Sequence, residues 1–513
     1  MENSRTKNSV LIMATSGVRQ LLTLLLSFAN RTVFIYVLGA RYLGINGLFS
    51  NILAMLSLAE LGIGSAISYY LYKPIALNDK EHIKSLMQFY KKCYRIVGLT
   101  ILGFGCLIIP FLDKMVNLNQ PISENLYLIY FLFLLDSAFT YLFWAYKQAI
   151  MFANQQQYKI EKINIGFAIL CCCVDIIVLL IFKSFIIYLL CNMAIVIIKN
   201  IVIAKKIDRA FPYLKEKNIM RLSRLEVKNI FKGVFNESVF KLGSTLFNST
   251  LNIIVSIFIG TIVVGYYSNY YMIIGQVGIV FGLIMGSIIA GIGNVVATET
   301  AEKTYTLYKQ LDMGVFLVNA FCTICMFQLL NSFVYLWLGH VGREYVLSQV
   351  IVGLMCLDFY LNNSCQVIAT YRTAAGQFKI GRNRQVIAGI INIPLSIGLI
   401  KLFGLTGAFM SPVLCKLFIT APPFLIDLER KIFRQTWKIT LKDYAYKFGL
   451  TIMVTIIVWL SCLYFHEKSF LFFIVEVFLT GLLSIIFLFV FTYKTKEMKA
   501  LLDKFHLSKR LHL

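Results

Sequence analysis

The sequence predicts an all-α polytopic membrane protein, and three observations carry that expectation. Apolar runs long enough to cross about 30 Å of hydrocarbon as a helix recur from end to end. The 513 residues are 58% hydrophobic and only 14% charged, whereas soluble domains hold roughly 45–50% and ~25%. The Lys and Arg residues fall in alternate connections rather than evenly. Lipid offers no partner to a backbone N–H or C=O, so long apolar runs must be helices. Barrel strands would instead alternate over about ten residues, and no such segments recur.

Arg5 and Lys7 precede the first apolar run, as in a signal peptide. No small-residue cleavage site leads into a polar mature region, so this run reads as the first membrane helix. Fourteen spans are expected, near 10–37, 44–71, 93–112, 125–146, 163–182, 185–204, 237–259, 262–296, 311–338, 345–371, 385–400, 405–426, 447–465 and 469–493. With the N-terminus inside, 38 of the 49 Lys and Arg lie in cytoplasmic segments and six (Arg41, Lys114, Lys183, Arg343, Lys401, Lys468) lie outside. That asymmetry orients the chain in an inner (plasma) membrane with both termini cytoplasmic. The net charge of +24 then faces the anionic cytoplasmic leaflet, and nucleic acid is not an expected partner. The twelve cysteines show no metal or disulfide spacing. Cys171, Cys172 and Cys173 sit inside an apolar run as small hydrophobes.

The chain resembles itself at an offset of about 220 residues. Gly39 and Gly44 of GARYLG match Gly260 and Gly265 of GTIVVG, Tyr158-Lys159-Ile160 matches Phe378-Lys379-Ile380, and Asp136 matches Asp358. The offset covers six spans. Two six-helix lobes inserted with the same orientation follow, related by a pseudo-twofold axis along the membrane normal. The expected organisation is an N-terminal lobe (1–204), a basic cytoplasmic linker (205–236), a C-terminal lobe (237–426), and two final spans with a basic tail (427–513). The linker stretch KNIMRLSRLEVKNIFKG reads as an amphipathic helix on the inner membrane surface.

Polar stripes run inside the membrane. Span 1 carries Ser16, Gln20, Thr23, Ser27 and Arg31, with Arg19 beside them. Span 7 carries Glu237, Lys241, Ser244, Asn248 and Asn252 at the same spacing. Residues three and four apart share a helix face. Span 4 carries Asp136, Thr140, Trp144 and Gln148, and span 10 carries Asp358, Asn362, Gln366 and Thr370. Such stripes belong against protein or water. Glue between helices accounts for the uncharged positions equally well, and Glu237 with Lys241 could simply pair. Arg19 and Arg31 stay charged and need water or an anion. Glu60, Asp175, Lys199, Asp312, Lys416 and Glu476 are further ionisable residues within spans.

No P-loop, no H-E-x-x-H and no nucleophile or paired-carboxylate constellation is present, so no catalytic residue, cofactor or metal is expected. The outer connections are short, which disfavours a membrane enzyme that polymerises lipid-linked sugars.

The stretch from Arg31 to Ala76, containing LGARYLGINGLFSNILAMLSLAELGIGSAISYYLYKPIA, resembles the Wzx-type oligosaccharide repeat-unit flippases of surface-polysaccharide loci. These belong to the multidrug/oligosaccharidyl-lipid/polysaccharide exporter superfamily. The resemblance implies a V-shaped pair of lobes plus two helices, and a substrate of undecaprenyl-diphosphate-linked oligosaccharide. It also implies alternating access without ATP, with a polysaccharide polymerase and chain-length proteins as partners. It supplies no motif residues, so the candidate site rests on the stripes. Arg19, Arg31 and Lys241 would hold the diphosphate or acidic sugars. Ser16, Gln20, Thr23, Ser27, Ser244, Asn248, Asn252, Asn362 and Gln366 would bind sugar hydroxyls. Asp136, Asp358 and Glu60 would take H+ or Na+ as the coupling ion. A lipid-linked peptidoglycan-precursor flippase and a drug/cation antiporter of the same superfamily remain alternatives.

Overall fold

The computed structural model describes residues 2–57, 70–75, 77–118, 122–143, 145–154, 156–216, 222–298, 300–374, 380–434, 436–462 and 469–504. The described residues are helical almost throughout. Eleven helical segments among them are long and apolar enough to cross a membrane. The chain divides into two compact units, Met1–Gly265 and Tyr266–Leu513.

The first unit contains α1 (Glu2–Leu56), α2 (Lys80–Ile108), α3 (Leu126–Phe143), α4 (Tyr158–Phe182), α5 (Phe185–Ala210) and α6 (Arg224–Phe258), and ends just inside α7 (Thr261–Thr298). α1 is broken at Gly39, whose φ of 79° and ψ of −178° suit a residue without Cβ. The break divides α1 into two arms, which hold the first expected span and the described start of the second. α1 packs along α4 and also meets α6, while α2 packs on α3. Ile83, Met87, Tyr90, Ile150, Ile160, Ile203 and Ile230 form one buried cluster.

Helices begin earlier than hydropathy alone places them. α2 starts at Lys80, where the Asp79 side chain accepts from the His82 N–H and caps the helix. α6 starts at Arg224 under a capping box in which Ser223 and Glu226 bond reciprocally, and it runs without a break to Phe258. The described part of the linker's amphipathic stretch is therefore the first turns of α6, not a separate surface helix. The reciprocal bonds satisfy two otherwise orphaned N–H groups, which lets a charged segment extend an apolar one.

The second unit contains α8 (Ala301–Leu338), α9 (Gln349–Ser364), α10 (Arg382–Phe403), α11 (Leu405–Cys415), α12 (Ala421–Phe433), α13 (Trp437–Cys462) and α14 (Phe470–Thr492). A π-helical turn, Lys416–Thr420, joins α11 to α12. Pro422 and Pro423 follow it, and two rings without N–H cannot continue the regular ladder. α13 and α14, which lie outside the repeat, share a core with α8 and α9: Phe316, Ala320, Ile324, Tyr360, Leu450, Val454, Val458 and Leu488.

α14 shows why these helices suit a membrane. Its buried positions are Glu476, Thr480, Ser484, Leu488 and Thr492, four residues apart. Its outer positions are apolar, with Phe478 74% exposed against 0% for Thr480. Polar inside and apolar outside is the reverse of a soluble helix. Introducing Asp at Phe478 places a charge on this apolar face, at about 3 kcal/mol on an insertion scale. Phe478→Asp should cut the membrane-integrated yield, read by quantitative blotting of membranes, whereas Phe478→Leu should leave it unchanged.

Candidate functional site

The repeat-related glycines meet one another. Gly39 and Gly260 both take positive φ, 79° and 143°, and each stands immediately before a helical arm. Five residues further on, Gly44 lies against the backbone of Thr261, and Gly265 lies against the carbonyl of Ala40. At the 221-residue offset, Ala40 corresponds to Thr261 and Gly44 to Gly265. Each of these two glycines is thus seated on the first residue of the other motif's arm. Either Cβ would run into backbone. The crossing is held by Asn117, whose carbonyl accepts from the Thr261 N–H at 2.9 Å and whose N–H donates to Thr261 Oγ1 at 3.0 Å. Ser256 donates to the Met115 carbonyl at 2.7 Å.

The α1 stripe is half-buried at Ser16, Gln20, Thr23, Ser27 and Arg31. The lipid-facing side of that arm is Val18, Leu21 and Leu25, each more than half exposed. Arg19 is engaged by an anion of the protein itself: its Nε lies 2.6 Å from Glu161 Oε2 on α4, and Glu161 is buried. Gln157 donates to the other Glu161 oxygen at 3.1 Å. On α6, Asn252 is half-buried and its amide nitrogen faces Gly47 of α1. Lys241, Ser244 and Asn248 lie on α6 with side chains outside the described residues, and Glu60 lies outside them altogether.

The acidic candidates divide. In the second unit, Asp358 Oδ1 on α9 pairs with Lys416 Nζ at 2.8 Å. In the first unit, Asp136 on α3 has Oδ1 buried without a hydrogen-bond partner, while the charge of Lys199 on α5 acts on it. The second unit thus closes an Asp–Lys pair, whereas Asp136 and Lys199 of the first form none among the described residues. Asn362 is exposed and Gln366 half-buried, whereas the adjacent Asn363 is the buried amide and donates to the Phe359 carbonyl at 3.0 Å.

One cluster was not assembled by sequence reasoning. Asp175 on α4 is 2% exposed. Its Oδ2 accepts from Asn30 Nδ2 of α1 at 2.7 Å, and its Oδ1 accepts from Asn192 Nδ2 of α5 at 2.6 Å. Cys171 lies one turn back, with its Sγ 3.6 Å from Asp175 Oδ2. Among the described residues no Lys or Arg pairs with Asp175. Three helices therefore enclose a carboxylate served only by neutral donors, next to the end of the α1 stripe. Asn30 escaped notice because it falls one residue off the four-residue stripe that ends at Arg31.

No protein-family model matches the chain, and no curated protein sequence does. Solved structures do match in fold. A lipid II flippase, MurJ, in an inward closed conformation matches with a TM-score of 0.68 at 13% identity, over 94% of this chain and 98% of that one. An inward-facing multidrug resistance MATE family transporter of the MOP superfamily matches at 0.59 and 14% identity, over 81% of this chain and 98% of that one. A mutant of the Vibrio cholerae MATE transporter VcmN matches at 0.58 and 12% identity, over 85% and 99%. The chain therefore shares the fold of these multi-pass membrane proteins.

Filling either side of the glycine crossing must push backbone apart. Gly44→Ala and Gly265→Ala should each destabilise the protein by about 1–3 kcal/mol. Gly17→Ala is the control, since a Cβ there meets nothing within 4 Å. Thermal unfolding in detergent should show a lowered midpoint for the first two and none of that loss for the third.

Proposed function

We propose that the chain is a flippase that carries polyprenyl-diphosphate-linked oligosaccharide repeat units from the cytoplasmic to the outer leaflet, by ion-coupled alternating access. The observation that carries this reading is the polar stripe of α1, which keeps off the lipid-facing side and ends in the half-buried Arg31. A diphosphate is a dianion that hydrocarbon excludes. A guanidinium offers it paired donors that a lysine cannot match. Stripe hydroxyls and amides suit sugar hydroxyls, while the prenyl tail stays in lipid. The fold likeness to a lipid II flippase supports a lipid-linked substrate in one further respect. The segment Trp437–Thr492, which holds α13 and α14, is longer than the part of the chain left outside that match. That match therefore takes in at least part of the helices that the repeat leaves over. The charge asymmetry supports cytoplasmic termini, and a polysaccharide polymerase with chain-length proteins would act on the delivered product.

Coupling needs a group whose charge changes as the protein changes state, because a ligand shifts an equilibrium only through differential affinity. Asp136 and Asp175 suit that role, since neither sits in an ion pair among the described residues. Asp358, held by Lys416 at 2.8 Å, suits a fixed structural pair. Arg19 acts on substrate only if Glu161 releases it.

Arg31→Ala should abolish surface-polysaccharide export in cells and lipid-linked oligosaccharide translocation in proteoliposomes, with protein still present in the membrane. Arg31→Lys should restore a part of it. Normal export by Arg31→Ala removes the diphosphate role. Asp175→Asn should leave substrate exchange at equilibrium intact while abolishing its dependence on an imposed H+ or Na+ gradient. Gradient dependence kept in Asp175→Asn and lost in Asp136→Asn moves the coupling to α3.

A further inference from the structure

A second buried polar centre lies in the Tyr266–Leu513 unit. Five charged side chains act on one another there. Lys447 of α13 pairs with Asp312 of α8 and with Asp443 at 3.1 Å. Lys309 of α8 pairs with Asp443 at 2.8 Å and reaches Glu429 of α12 at 3.5 Å. Glu429 is 2% exposed, and its two oxygens accept from the hydroxyls of Tyr308 at 2.8 Å and Thr440 at 2.6 Å. Three carboxylates face two ammonium groups, so the centre carries one uncompensated negative charge in a setting that penalises it.

Beside these groups is a cavity of about 30 Å³, lined among others by Asp312, Asn319, Tyr360, Ser364, Tyr444 and Lys447. It is large enough for one or two waters, or for one desolvated alkali cation. Asn319 of α8 is 1% exposed. Its Nδ2 donates to the Tyr360 carbonyl at 2.9 Å, which fixes the amide, because a carbonyl can only accept. Its Oδ1 is then left in the cavity wall, buried and without a partner. A lone buried acceptor costs stability unless something donates to it or coordinates it. Ser364 donates its own proton to the Leu361 carbonyl at 2.8 Å, so its oxygen too offers lone pairs.

We propose that this cavity is a binding site for a monovalent alkali cation, sodium in the first place. The ion would sit among the Asp312 carboxylate, Asn319 Oδ1 and Ser364 Oγ. The donor set is oxygen only, which is alkali or alkaline-earth chemistry. Among the described residues no three His, Cys, Asp or Glu side chains converge as a metal-ligand set. The charge excess is one, and the cavity leaves no room for the water shell that Mg²⁺ retains. A cation there neutralises the centre and joins α8 to α9, beside the Lys447–Asp312 pair that ties α13 to α8. The site is separate from the Asp175 cluster and does not depend on what the chain transports.

The full-length protein in detergent is heated in sodium chloride and in N-methyl-D-glucamine chloride at equal ionic strength, and bound ²²Na⁺ is counted by equilibrium dialysis. Sodium should raise the unfolding midpoint by about 2–4 °C in a saturable manner. Asn319→Ala should lose that rise and one equivalent of bound sodium. Ser364→Ala removes one oxygen of the set and should weaken sodium binding while leaving the Asn319–Tyr360 bond in place. Asp175→Asn should keep the α8 equivalent. Equal midpoints in the two salts for the wild-type protein mean that the cavity holds water, and overturn the proposal. Sodium stabilisation that survives Asn319→Ala and disappears in Asp175→Asn assigns the ion to the other cluster, and overturns it equally.

Discussion

A bilayer gives a polar group nothing to bond with, and every feature of this chain answers to that. The backbone responds by being helical. The side chains respond by turning polarity inward, as α14 does with Glu476, Thr480 and Ser484 behind a wall of Phe and Leu. Glu476 is not left alone there: Gln328 of α8 donates to it at 2.8 Å. In water a buried ion pair competes with hydration and often gains little. Inside a lipid-embedded bundle, hydration is already absent, so a charge without its partner costs more than the pair. Asp358 with Lys416 is therefore a strong constraint on which helices must touch.

The two glycine motifs use the opposite device, the absence of a side chain. GARYLG and GTIVVG share a glycine that permits a positive φ and a second glycine that permits backbone contact. Because the two motifs are related by the repeat, one contact surface serves both sides, and each glycine receives the other motif's carbonyl. The halves have nonetheless diverged where charge is concerned. Asp358 is closed onto Lys416, while one oxygen of Asp136 lies buried without a hydrogen bond. The second unit closes its Asp–Lys pair, and in the first unit Asp136 forms no ion pair among the described residues.

Much of the fold was legible because hydropathy reports burial in lipid directly. Each of the fourteen expected spans overlaps a helix in its described residues, with short non-helical stretches such as 346–348, and the glycine offset marked a real contact. Helix starts were less legible. Lys80–Tyr94 and the first turns of α6 carry charge, so hydropathy ends before the hydrogen-bond ladder does, and only the caps at Asp79 and Ser223 mark the true starts. The candidate site was legible as positions and not as partners. The stripe spacing placed Arg31 and Asn252 on faces that are half-buried. Nothing local to Arg19 announces that Glu161, read as part of a cytoplasmic connection, closes on it. Asp175 stood out as a buried acid, but its donors Asn30 and Asn192 come from two other helices. Three-helix convergence has no signature in one sequence.

The last two helices illustrate how the same physics limits motion. α13 is fixed to α8 by apolar packing along its length, at Leu450, Val454 and Val458. At its other end Lys447 and Asp443 engage Asp312 and Lys309. Sliding α13 by one turn would move Lys447 about 5.4 Å along the helix axis and strand Asp312 without its counter-charge. Apolar contacts would survive such a shift at small cost, since one aliphatic ridge resembles the next. The charged end would not, because its partners occur at one register only. The ion network therefore sets the register and the apolar seam supplies the adhesion. Any rearrangement within this unit that keeps its buried charges paired has to carry α13 along with α8.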